Sequence, residues 1–127
     1  MKQQSLEASG FEKYRKKTRK EIFLDEMEQI IPWEELCEAI EPYYPKPAGA
    51  GRRPVGLDRM LRIHFLQHWF ELSDPAAEEA LYDSRAMRQF VGIDLGREPV
   101  PDETTILNFR HLMEKHHLGD ELFHIVN

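Results

Sequence analysis

Along most of the chain, apolar residues recur at helical spacing between residues that typically start or stop helices. Thr18 and Glu21 have the spacing of a capping box, in which each side chain satisfies an amide at a helix start. Pro32 cannot lie in the middle of the following helix, but it can open the next one. The apolar positions expected to be buried in these two helices are Ile22, Phe23, Met27, Ile30 and Ile31, then Leu36, Cys37 and Ile40. Because no segment alternates like a strand, we predict an all-α fold, a compact multi-helix domain.

A segment rich in proline and glycine at residues 42–56 is expected to form a loop between two helices and a larger C-terminal part. The strongest helical pattern follows at residues 57–72. Its expected apolar face consists of Leu57, Met60, Leu61, His64, Phe65, His68, Trp69 and Leu72. This segment should therefore contribute much of the core.

Three further helices are expected in quick succession after that segment. Asp74 should cap the first, with Pro75 in its first turn, and Ser84 should cap a short second helix that Gly92 ends. Asp102 should cap the third, with Ile106, Phe109 and Met113 turned inward. Gly119 is expected to break this helix before a last one at residues 120–126. The three helices from residue 74 to 115 predict a helix-turn-helix-like C-terminal portion.

The formal net charge of −6 hides a separation of charge along the chain. Residues 1–20 hold seven Lys/Arg and two Glu, a net charge of +5. Residues 21–41 hold eight Asp/Glu and no Lys/Arg, a net charge of −8. We therefore divide the chain into a basic N-terminal arm, residues 1–20, and a helical domain, residues 21–127. Because a partner meets a local surface and not the total charge, an acidic total does not exclude nucleic acid.

The polar first turns of the helix after Asp102 are the main candidate for reading DNA. Thr104, Thr105, Asn108 and His111 can reach base edges, and Arg110 can reach phosphate or guanine. A helix start of this composition also serves simply to cap the helix, and that alternative stays open.

Two basic segments are candidates for phosphate contacts. One lies in the proline- and glycine-rich loop and comprises Arg52 and Arg53; the other is the arm, with Lys13, Arg15, Lys16, Lys17, Arg19 and Lys20. The alternative for both is a solvated, solubilising surface.

Other chemistries have little support in the sequence. The only cysteine, Cys37, is expected to face the core of a very acidic helix, which disfavours its thiolate. His64 and His68 have a spacing that could hold zinc, but packed core histidines are the favoured interpretation. We therefore expect no catalytic residue and no metal site in this chain. No apolar stretch approaches the length of a membrane span, and we expect a cytoplasmic protein without a membrane partner.

The strings GRRPVGLDRMLRIHFLQHWFELSDPAAEEALYDSRAMRQFVGI and PDETTILNFRHLMEKHHL, preceded by RKKTRKEIFLDEMEQIIPW and EPYYPK, carry a family resemblance. Together they resemble the N-terminal domain of bacterial insertion-sequence transposases of the DDE class, the group typified by insertion sequence five. The resemblance extends from about residue 11 to residue 126. It implies a DNA-binding and assembly domain that recognises the terminal inverted repeats of an insertion sequence during transposition.

The resemblance also implies what the chain lacks. In the family, strand cleavage belongs to a ribonuclease-H-like domain C-terminal to this one, where Asp, Asp and Glu hold two divalent metal ions, normally magnesium. We expect this 127-residue chain to lack that domain and to be inactive alone, with no cofactor of its own. Expected partners are the inverted-repeat duplex and either a second copy or a full-length transposase. The alternative function is a protein-interaction module that pairs transposase subunits or represses transposition as a truncated product.

Overall fold

The computed structural model describes residues 14–45 and 56–126, apart from the side chain of Phe123. Within these residues the chain is helical with no strand, which confirms the all-α class. The helices are α1 (Arg19–Ile30), α2 (Trp33–Ile40), α3 (Leu57–Phe70), α4 (Asp74–Asp83), α5 (Arg85–Val91), α6 (Glu103–Lys115) and α7 (Leu118–Val126), with a 3-10 turn at Glu41–Tyr43 after α2. None of these helices is long and apolar enough to cross a membrane. Lys13, Arg52 and Arg53 lie outside the described residues.

Helix α3 is the centre of the fold, since it packs against α2, α4, α5 and α6. Helix α7 packs against α2 and α6, and α1 packs against α5. Ile63 and Leu66 are buried although they lie outside the predicted apolar face of α3, because neighbouring helices cover it on several sides. The largest fully buried side chains are Leu36, Ile40, Leu57, Leu61, Ile63, Leu66, Leu81, Ile106 and Leu118.

Side-chain caps confirm three of the predicted helix starts. Thr18, Ser84 and Asp102 each accept a hydrogen bond from the backbone N–H three residues further on, at 3.2, 3.1 and 2.8 Å respectively. Gly92, with a φ of +88°, ends α5 as expected. These boundaries follow from local interactions that the sequence displays directly.

Two predicted boundaries are wrong by a small shift. Ser73 caps α4, because its Oγ accepts a hydrogen bond from Ala76 N–H at 3.2 Å, so Asp74 is the first residue of the helix and not its cap. Gly119 lies inside α7 and does not break the preceding helix. The chain turns at His117 instead, which has a left-handed φ of +54°.

The buried stripe of α1 also differs from the prediction. Ile22 and Ile30 are 46% and 66% exposed, whereas Leu24 and Ile31 are buried. Each residue advances about 100° around a helix, so Leu24, Met27 and Ile31 share one side and Ile22 lies on another. In α2, by contrast, the three predicted core positions are all buried: Leu36, Cys37 and Ile40.

A buried arginine that the sequence did not single out joins four helices. Arg62 of α3 donates to Asp58 Oδ2 at 3.0 Å, to Glu28 Oε2 at 3.0 Å and to the Phe90 carbonyl at 2.9 Å. Its guanidinium carbon lies 4.3 Å from the centre of the Trp33 ring and 5.1 Å from that of Phe90. Burial by itself favours the neutral form, yet the carboxylate partners outweigh it and raise the pKa of Arg62 above its usual value. We call this cluster the Arg62 junction.

Candidate nucleic-acid interface

Helix α6 buries one face and exposes the other. Ile106, Phe109 and Met113 are buried against the core, as the sequence predicts. The four side chains predicted to reach base edges are all exposed: Thr104, Thr105, Asn108 and His111. The burial of the opposite face therefore leaves these polar groups facing solvent on a helix held by packing.

Helical geometry gathers most of these residues into one strip. At about 100° per residue, Thr104, Asn108 and His111 fall within a sector of roughly 60°, and Thr105 lies about 60° beyond it. Lys115, which is also exposed, falls in the same sector three turns after Thr104. Sequence reasoning missed Lys115, although its spacing from Thr104 was the available signal. We call these five residues the polar face of α6.

Two backbone amides in the first turn of α6 already have carboxylate partners. Asp102 Oδ1 accepts from Thr105 N–H at 2.8 Å, and this hydrogen bond holds the pKa of Asp102 below its usual value. Glu78 Oε1, from α4, accepts from Glu103 N–H at 2.7 Å. These two amides are therefore already occupied by carboxylates of the chain itself.

Arg110 lies on the flank of α6 that faces α4, roughly 120° around the helix from Thr104. Its Nη2 donates to Asp74 Oδ2 at 2.8 Å and its Nε to Asp74 Oδ1 at 3.3 Å, while Nη1 donates to Glu114 at 3.3 Å. The hydrogen bond with Asp74 raises the pKa of Arg110, and the same bond lowers that of Asp74. A contact between Arg110 and DNA stays a prediction, and the structure shows a carboxylate that competes for the same guanidinium.

The described residues of the basic arm make their ion pairs with α1. Arg15 Nη2 lies 2.6 Å from Glu21 Oε2, and Lys17 Nζ lies 2.7 Å from Asp25 Oδ2. The hydrogen bond with Asp25 raises the pKa of Lys17. Surface pairs of this kind contribute little to stability. Three other arm cations in the described part of the chain are exposed: Lys16, Arg19 and Lys20. Of these, Lys20 lies over the Phe70 ring.

The order α4, α5, α6 agrees with the predicted succession of three helices, but the connections differ in length. Only Ser84 separates α4 from α5, whereas residues 92–102 separate α5 from α6. A helix-turn-helix joins its two helices by a turn of about three to four residues. The helix-turn-helix assignment therefore stays a prediction. What the structure does show is that α4 packs against α6.

His64 and His68 occupy different environments. His64 is buried, as expected for a core histidine, but His68 is exposed, so the prediction is wrong for this second residue. Their Nε2 atoms are 3.2 Å apart at a pocket that Asp74 and Arg110 also line. Burial, with smaller contributions from His68 and Arg110, lowers the pKa of His64 to about 4. Among the residues that the structure describes, no group of three or more His, Cys, Asp or Glu is placed to hold a metal ion.

The structure is thus that of an all-α domain in which one side of α6 is buried and the other presents polar residues. The chain belongs to the family described as Transposase domain (DUF772), whose model matches residues 12–112. The matched residues include helices α1 to α5 and most of α6, with the candidate side chains of its first turns. No solved structure matches this chain.

Proposed function

We propose that this chain is a DNA-binding and assembly domain of an insertion-sequence transposase, of the DDE class and the insertion-sequence-five group, that recognises the terminal inverted repeats. Membership in a transposase domain family supports a role in transposition. The single observation that carries the DNA-binding proposal is the exposure of Thr104, Thr105, Asn108 and His111 along one helix.

The polar face of α6 has the chemistry of a base reader. An asparagine amide can pair with the two hydrogen-bonding groups of adenine in the major groove, and threonine offers a hydroxyl and a methyl group. An α-helix fits the width of that groove. Asn108 and Thr104 therefore specify the sequence, while His111 and Lys115 extend the contacts toward the C-terminal end of α6.

The basic arm supplies affinity that does not depend on sequence. Lys16, Arg19 and Lys20 are exposed, and the surface pairs of Arg15 and Lys17 can open in exchange for phosphate. Lys13, Arg52 and Arg53, outside the described residues, belong to the same proposal. Each phosphate contact makes the slope of the logarithm of the association constant against the logarithm of the salt concentration more negative by about 0.9.

The test is selection from a pool of duplexes that carry 20 randomised base pairs, followed by titration of the enriched duplex at several salt concentrations. We expect one enriched sequence, which matches the ends of the mobile element that encodes the chain. Asn108→Ala should weaken binding to the enriched duplex by roughly tenfold, since a bidentate base contact contributes about 1–3 kcal/mol. Gln89→Ala is the matched control, because Gln89 is an exposed amide on α5. Equal binding to enriched and scrambled duplexes would overturn the base-reading proposal.

The second candidate is an assembly module, and a specific surface favours it. Glu34, Glu35 and Glu38 form an exposed acidic row on α2, which the basic arm of another copy complements in charge. Sedimentation equilibrium at low and high salt tests this. A dimer that dissociates at high salt, and that Glu35→Lys weakens, supports assembly; a monomer at every concentration contradicts it.

A further inference from the structure

Helix α6 is fastened to α4 at two points two turns apart. Near its start, Glu103 N–H donates to Glu78 Oε1 at 2.7 Å; further along, Arg110 donates to both carboxylate oxygens of Asp74, at 2.8 and 3.3 Å. Asp74 and Glu78 are four residues apart and therefore lie on the same side of α4. Two such contacts fix both the position of α6 along its axis and its rotation about that axis.

A third helix orients the carboxylate that Arg110 meets. Gln67, near the end of α3, donates from Nε2 to Asp74 Oδ1 at 2.8 Å and to the Leu72 carbonyl at 3.2 Å. The Asp74 side chain is only 12% exposed, whereas that of Arg110 is 37% exposed. Asp74 is thus the more buried acceptor, and the more exposed guanidinium of Arg110 is the group that it holds.

The rotation of α6 matters because its polar face and its fastening lie on different sides of the helix. With side chains the helix has a radius of about 5–6 Å, so a rotation of roughly 20° moves a side-chain tip by about 2 Å. That displacement is enough to break a hydrogen bond to a base edge. Residues that never touch DNA can therefore decide whether Asn108 and Thr104 meet their bases.

We propose that Asp74 and Arg110 are positioning residues that hold the polar face of α6 in the orientation required for sequence recognition. This inference rests on the proposed DNA-binding function. It gives Arg110 a role different from the contact with phosphate or guanine that its residue type predicts. Its partner, Asp74, would repel DNA if it stood at the interface alone, but paired with Arg110 it acts as an internal anchor.

The experiment compares Asp74→Asn, Arg110→Ala, Arg110→Lys and the Asp74→Asn/Arg110→Ala double variant. The probes are the duplex that the wild-type chain enriches from the randomised pool and a scrambled duplex of the same base composition. The quantities measured are the ratio of the two affinities and the salt dependence of each. Circular dichroism establishes that each variant retains its helices, and Arg97→Ala serves as the control for loss of an exposed cation, since the Arg97 side chain is 87% exposed.

We expect each single variant to reduce the affinity ratio by roughly tenfold and the double variant to lose no more than either. The salt dependence of both affinities should stay unchanged. Arg110→Lys should also lower the ratio of the affinity for the enriched duplex to that for the scrambled one, although it keeps the charge, because lysine cannot make the bidentate contact with Asp74. A salt slope reduced by about 0.9 in Arg110→Ala, with equal losses on both duplexes, would identify a phosphate contact and overturn the inference. An Arg110→Lys variant that behaves like the wild type would also overturn it. If the wild type enriches no sequence, the proposed function itself fails, and this inference fails with it.

Discussion

Two arginine–carboxylate clusters, the Arg62 junction and the Arg110–Asp74 pair, use the same chemistry in different surroundings. The Arg62 side chain is 10% exposed and lies over the Trp33 and Phe90 rings, with hydrogen bonds to α1 and α5 as well as its own helix. The Arg110 side chain is 37% exposed and pairs with Asp74 beside an open pocket. Buried Arg62 therefore holds several helices together, whereas the role proposed for the partly exposed Arg110 is to fix the orientation of one helix, α6.

Removing the buried arginine should cause the largest loss of stability. Arg62→Ala leaves the Phe90 carbonyl and the two ring faces without their partner, so the free energy of unfolding should fall by about 4 kcal/mol. Urea denaturation followed by circular dichroism measures this. Arg97→Ala removes an exposed arginine and should change stability by less than about 0.5 kcal/mol. Equal losses in the two variants would show that Arg62 does not hold the helices.

The pocket beside Arg110 should make stability depend on pH through His64. The pKa of His64 is lowered to about 4 in the folded chain, so the unfolded chain binds this proton first as the pH falls. The free energy of unfolding is therefore highest above pH 6.5. It falls as the pH is lowered toward 4, by about 3 kcal/mol in total, because protonation of His64 favours the unfolded chain.

His64→Gln tests this assignment, because a neutral amide cannot take up the proton. Denaturation midpoints measured from pH 7 to pH 4 should fall more steeply for the wild type than for the variant. Parallel profiles would assign the pH dependence to other groups.

Ile30 and Ile31, at the C-terminal end of α1, mark an edge of the hydrophobic core. Ile31→Ala should cost about 2 kcal/mol, because Ile31 is 6% exposed. Ile30→Ala, its neighbour in sequence, should cost less than about 0.5 kcal/mol, because Ile30 is 66% exposed. Urea denaturation of the matched pair measures the difference, and a reversed order would mean that α1 is rotated from its described position.

The Arg110–Asp74 pair is expected to contribute less to stability than the Arg62 junction. Arg110→Ala should reduce the free energy of unfolding by about 1 kcal/mol, since water compensates a partly exposed pair. Thermal denaturation of Arg110→Ala beside Arg62→Ala sharpens the comparison directly. A loss at Arg110 as large as the loss at Arg62 would make the pair a main support of the fold and not a fastening of α6.

The sequence predicted the helical elements well and the candidate interface in part. Caps at Thr18, Ser84 and Asp102 are local interactions between residues three apart, so they are visible without a fold. The inward face of α6 follows from periodicity, and so does the exposure of its polar residues. The rotation of α1 and the exposure of His68 depend on which helices lie beside them, and periodicity alone could not supply that information.

By itself, the sequence determined the all-α class, most helix boundaries and the polar composition of the exposed side of α6. Only the tertiary structure decided which charges meet. Glu28 and Arg62 are 34 residues apart, and Asp74 and Arg110 are 36 apart. No local pattern encodes such pairs, because they form only when α1 packs beside α3 and α4 beside α6. The physical reason is that capping and periodicity act within a turn or two of helix, whereas burial and ion pairing depend on the packing of distant segments.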